Sequence, residues 1–214
     1  MNALNELRAG LCSVAKRSVG LMSACGNEES TKLYLVLPII GLFGYDYSNP
    51  YEVYPQHTAN ADPNQPNRVD LAILREGAPV IGVAAKKVGT DLAEARGELR
   101  AYCNAVATAK LGILTNGEKW RLYFQGALSI SEDYFELDFA KALELPGHEL
   151  DLVERTEERL TTAHALRLFI LMFRKQAFLP VDGPRTFHDL ARDEGKSWEA
   201  KVTRDLSRLV LRSP

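Results

Sequence analysis

Two apolar runs joined by a short turn constrain this chain more than any other feature. Val69-Asp70-Leu71-Ala72-Ile73 reads as a strand, Arg75-Glu76-Gly77-Ala78 as a turn, and Pro79–Lys87 as a second strand. Runs so close together must pair as an antiparallel hairpin. Side chains alternate along a strand, so positions 84 and 86 share a face. Beyond the hairpin, Asp91 to about Ala107 places Leu92, Ala95, Leu99 and Tyr102 or Cys103 along one helical face. Ala109–Thr115 and Lys119–Phe124 then read as two strands separated by the turn pair Asn116-Gly117. Strands interrupted by one helix imply an α/β fold with a central mixed sheet flanked by helices.

The flanking segments are helical. Residues 2–24 carry Leu4, Leu7, Leu11, Val14 and Val19 at roughly helical spacing. A second helix is expected from Asn27 to Phe43, with Asn27 as its N-cap, Gly44 as its stop and a kink or early end at Pro38. Tyr51–His57 reads as a strand and 58–67 as a loop. Toward the other terminus a long helix is expected from Glu154 to about Phe178, its second half apolar on most sides and so buried. After a break at Pro180–Pro184, short helices follow near Phe187–Asp193 and Ser197–Leu211. Three units result: an N-terminal helix over 1–26, a core over 27–145, and a C-terminal helical extension or connector over 146–214.

Composition excludes little. A chain of 214 residues can bury a proper core. A formal net charge of -2 does not by itself suggest nucleic acid, although charge can be concentrated locally. Between Arg167 and Arg212 ten basic side chains face six acidic ones. Cys12, Cys25 and Cys103 lack metal-ligand spacing, and so sparse a set favours reduced thiols and a cytoplasmic setting. Lys16 and Arg17 interrupt the first apolar stretch, which argues against a signal peptide. No run approaches the roughly 20 apolar residues that span a bilayer. His57, His148, His164 and His188 show no spacing for a metal or a catalytic dyad, and Trp120, Tyr123 and Phe124 are expected in the core.

An aspartate on one strand, then a carboxylate, any residue and a lysine on the next, is the metal-site pattern of the PD-(D/E)xK nucleases. Asp70 and Lys86 are present, but alanine stands at position 84. The surrounding sequence makes the resemblance more specific. Asn27-Glu28-Glu29-Ser30-Thr31-Lys32, Leu35–Pro38, Leu42–Asp46, Asn49–Pro55, Glu98–Tyr102, and Gly112–Gly117 followed by Trp120 and Tyr123 stand in an order and spacing that resemble the nuclease domain of type I restriction enzyme R subunits. The likeness runs from about Asn27 to Tyr123. It implies a restriction-endonuclease-like core and a Mg2+-dependent (or Mn2+-dependent) DNA endonuclease. It also implies double-stranded DNA as partner, with a methyltransferase or specificity module and a homodimer as further expectations. No Gly-x-x-x-x-Gly-Lys-Ser/Thr occurs, so the chain shows no helicase motor of its own.

The resemblance assigns roles residue by residue. Asp70 is the main metal carboxylate, the Ala85 carbonyl a backbone ligand, and Lys86 the group that orients water or stabilises the phosphorane. Glu28 or Glu29 matches an early acidic position that touches metal through water. Lys87, Arg96 and Arg100 are phosphate-contact candidates. Each has a plainer reading: Asp70 and Lys86 as solvated strand-end charges, Glu28 and Glu29 as helix-dipole partners. A methyl group binds no metal, so Ala84 implies a weakened or inactive site. Three explanations are open: a replaced glutamate, a naturally degenerate domain that only binds DNA, or a carboxylate moved to the following helix. For the last, Glu98 stands where the family usually has glutamine, four residues before Tyr102, with Glu94 on the same expected stripe.

Overall fold

The computed structural model describes residues 3–59, 67–124 and 134–139, together with Lys141, Phe173 and Lys175. Helix α1 spans Ala3–Leu21 and runs into a 3-10 turn at Met22–Ala24. Helix α2, Glu28–Thr31, continues through a π-turn at Lys32–Val36 into α3, Leu37–Leu42. The strands are β1 Val53–Thr58, β2 Arg68–Arg75 and β3 Ala78–Ala85; helix α4 follows at Arg96–Ala105, then β4 Leu111–Thr115, β5 Lys119–Phe124 and β6 Phe135–Asp138. The strands form one sheet in chain order, with only β3 and β4 parallel. That parallel pair needs a crossover, which α4 provides.

Local chemistry explains most boundaries. Glu76 and Gly77 both take positive φ, 51° and 78°, and Arg75 pairs with Ala78, the geometry of a two-residue type I′ hairpin. The central strands β3 and β4 are buried almost throughout, as strands covered on both faces must be. On one face Leu11, Ile39, Ile40 and Phe43 from the N-terminal helices meet Ile73, Ile81, Val83 and Trp120. On the other face Leu99, Tyr102 and Cys103 of α4 meet Ala72, Ala84 and Leu114. Gly82 permits this second contact, because a Cβ there would stand 2.9 Å from the Tyr102 ring. This is the expected α/β core: a mixed sheet between helical layers.

Several expectations need correction. The helix foreseen from Asp91 begins only at Arg96. The Asp91 carboxylate accepts from the Ala93 N–H at 2.9 Å, and this local bond competes with helix formation. Pro38 does not end its helix. The Leu37 N–H reaches back to the Lys32 carbonyl, and the helix passes the proline through this widened turn. Val19, expected on the apolar face, is 50% exposed. Strand β6 had no signal in the sequence reading. Most of the expected C-terminal helices lie outside the described residues. Phe173 and Lys175 are exceptions: Phe173 packs 4.8 Å from the Phe43 ring and 5.5 Å from Tyr45, and the Lys175 N–H donates to the Phe43 carbonyl. Among the described residues no helix is long and apolar enough to cross a membrane.

Candidate active site

The site gathers where β2 begins and β3 ends, beside the start of α2 and the first turns of α4. Asp70 lies near the start of β2, where the facing pattern of the strand shifts although the strand itself runs on from Arg68 to Arg75. Val69 and Ala72 both pack on the α4 side, while Leu71 and Ile73 pack on the other, so the alternation fails at Asp70. The neighbouring edge strand is irregular at the same level. Its register with β2 carries through from Val53–Ile73 to His57–Val69, which puts Gln56 opposite Asp70. Gln56 has φ 51°, a conformation that costs a non-glycine residue of order 1–3 kcal/mol. Its amide Nε2 donates to Asp70 Oδ1 at 3.3 Å.

The β2–β3 register, with Leu71 opposite Val83, extends to put Asp70 opposite Ala84. Ala84 is buried, and its methyl packs among α4-side residues. Next to it, the Ala85 N–H donates to Asp70 Oδ2 at 2.8 Å. The backbone contact seen at Ala85 is therefore an amide bonding a carboxylate. Lys86, just past β3, is anchored by its own N–H to the Thr115 carbonyl at 2.7 Å. Its side chain turns toward α4, as the shared face with position 84 requires, and Nζ donates to Glu98 Oε2 at 2.8 Å. Glu28 Oε1 is 3.7 Å from the same ammonium. Burial opposes charge on Lys86. The bond and charge of Glu98, with the charges of Glu28 and Asp70, outweigh it and hold the ammonium above the ordinary lysine range.

Glu28 and Glu29 begin α2, which Asn27 starts through a reciprocal capping box with Ser30. Three residues after Glu29, Lys32 enters the site. Its Nζ donates to Glu29 Oε1 at 2.6 Å and to Asp70 Oδ1 at 3.4 Å. Four carboxylates thus face two ammonium groups.

Asp70, Ala84, Ala85, Lys86, Glu28, Glu29 and Glu98 are therefore brought together. Glu98 belongs to the group because α4 carries it directly over Lys86. Glu94 lies ahead of the helix rather than on its stripe, and Tyr102 turns inward. The Tyr102 hydroxyl meets His57 Nδ1 at 2.9 Å; burial lowers the histidine pKa and raises that of the phenol. Lys87 is exposed, Arg96 lies close enough to Tyr123 for its charge to act on the phenol, and Arg100 is half-buried on α4. Lys32 and Gln56 were missed by sequence reasoning. Lys32 has a weak signal, its place in the early acidic helix. Gln56 has none. A cavity of about 480 Å³ lined by Asn67, Arg68, Gly97, Glu98 and Ala101 opens beside Glu98.

Among the described residues no three His, Cys, Asp or Glu side chains stand together as a metal site. Both oxygens of Asp70 already accept hydrogen bonds from the chain itself. As they stand, these residues do not fit a complete metal centre.

Residues 48–127 match the family model of the type I restriction enzyme R protein N terminus. The matched segment overlaps the resemblance drawn from the sequence over β1 to β5, and Asp70, Ala84, Lys86 and Glu98 fall inside it. No curated protein and no solved structure matches the chain significantly.

Proposed function

We propose that the segment similar to the restriction R-protein N terminus serves here as a DNA endonuclease domain whose Mg2+-dependent centre is disabled at Ala84. Its substrate is double-stranded DNA, and sequence specificity comes from a methyltransferase or specificity module. A homodimer would let two sites address the two strands. The observation that carries the reading is the meeting of Asp70, near the start of β2, with position 84 and Lys86 at the end of β3, in a segment that matches the type I restriction enzyme R protein N terminus. In this reading Lys86 presents a fixed positive charge to the scissile phosphate, and Asp70 is the remaining strand carboxylate. Position 84 contributes a methyl group where a second carboxylate is required. Lys87, Arg96 and Arg100 supply phosphate contacts, so DNA affinity falls steeply with salt.

A second reading, a non-catalytic DNA-binding or assembly module, draws on one observation: both oxygens of Asp70 already accept hydrogen bonds from within the chain. Cleavage separates the two. Supercoiled plasmid is incubated with Ala84→Glu and Mg2+ or Mn2+. Nicking that is absent from the parent and lost again on adding Asp70→Ala supports the nuclease. DNA binding without cleavage by any variant supports the module.

A further inference from the structure

We infer that Lys32 is a built-in cation that holds Asp70 in the position a divalent ion would claim, so that a metal must compete there with the chain's own ammonium. The inference rests on the metal-dependent nuclease reading and concerns the regulation of that same site. It is separate from Ala84: alanine removes one ligand, whereas Lys32 occupies the ligand that remains.

Lysine is among the residues least often fully buried, and those that are buried are paired. Lys32 is 8% exposed, and its ammonium bridges Glu29 and Asp70, one from α2 and one from β2. With the Gln56 amide and the Ala85 N–H it completes a set of donors around both Asp70 oxygens. A divalent ion on Asp70 would have to share the carboxylate with these donors. An ammonium and a metal ion held a few ångströms apart in a partly buried site repel strongly, so the two compete. The backbone favours the arrangement. The π-turn begins at Lys32, and a widened turn of this kind frequently marks a functional site. Asn27 caps the helix just before, which fixes the approach of Glu29 and Lys32 to the end of the sheet.

The test reads metal binding without DNA. Mn2+ is titrated by calorimetry, and free Mn2+ is followed by electron paramagnetic resonance, on the full chain, Lys32→Met, Lys32→Arg and Lys32→Met with Asp70→Ala. Lys32→Met should bind Mn2+ about tenfold or more tightly than the parent, a change of about 1.4 kcal/mol or more. Lys32→Arg keeps the charge and should show no gain. Adding Asp70→Ala should abolish the gain. The proposal is overturned if Lys32→Met binds no more tightly than the parent, if Lys32→Arg gains as much, or if the gain survives loss of Asp70. Should Lys32→Met lack a native circular-dichroism spectrum, Lys32→Gln is judged by the same criteria. A gain in Mn2+ affinity for Lys32→Met, with no cleavage even by Ala84→Glu combined with Lys32→Met, upholds the role of Lys32 and sinks the nuclease reading; cleavage with no gain does the reverse.

Discussion

At the scale of single residues, the proposed site turns as much on the alanine at position 84 as on the charged groups around it. The spacing of Asp70 and Lys86 was legible in the sequence, and so was the anomaly at position 84. Lys32 and Gln56 were not. Period-two alternation assumes a straight strand, whereas the facing pattern of β2 shifts at Asp70 and Gln56 adopts a left-handed backbone opposite it. No residue pattern announces such a shift. His57 adds a pH dependence whose sign follows from its burial. Its folded-state pKa lies below the ordinary value of 6.5, so the unfolded chain takes up the proton first. Its contribution to stability is complete above about pH 6.5 and is lost as pH falls through the lowered value. Urea unfolding of the parent and of His57→Asn at pH 8 and pH 5 checks this. The parent should lose more stability on acidification than the variant.

Among the elements, those with local signals were the legible ones. The β2–β3 hairpin was readable from Glu76-Gly77, and β4–β5 from Asn116-Gly117, whose glycine has φ 84°. The delayed start of α4 and the π-turn were not, because each depends on a particular hydrogen bond rather than on composition. Strand β6 is a four-residue addition whose pairing partner β5 decides it. The contact between α4 and the sheet gives a test at this scale. Gly82 faces the Tyr102 ring so closely that a methyl there must displace it. Gly82→Ala should therefore destabilise the fold by about 1–3 kcal/mol, the usual cost of overpacking. Denaturant titration measures that loss. Equal stability would mean that α4 can move outward, which would also shift Glu98 relative to Lys86.

For the whole molecule, the sheet divides two cores, and residues remote in sequence complete the larger one. Phe173 is fully buried beside Phe43, Tyr45 and Trp120, and the Lys175 ammonium pairs with Glu52 at 2.6 Å. The sequence reading foresaw a buried apolar helix there but could not say against what it packs, because a helical period carries no address for a distant partner. Phe173→Ala should cost about 3–5 kcal/mol, as expected for emptying an aromatic core position. Thermal or chemical unfolding reads this directly. A change within about 0.5 kcal/mol, as at ordinary surface sites, would show that this segment does not hold the core together.

The central claim, a restriction-type nuclease site disabled by one absent carboxylate, meets its most direct test in one measurement. The rate of supercoiled plasmid nicking in Mg2+ or Mn2+ is compared between the parent chain and Ala84→Glu at equal concentration. The account predicts no nicking by the parent and metal-dependent nicking by Ala84→Glu. Nicking by the parent at the rate of Ala84→Glu would contradict it, and Glu98 would then be the next carboxylate to remove.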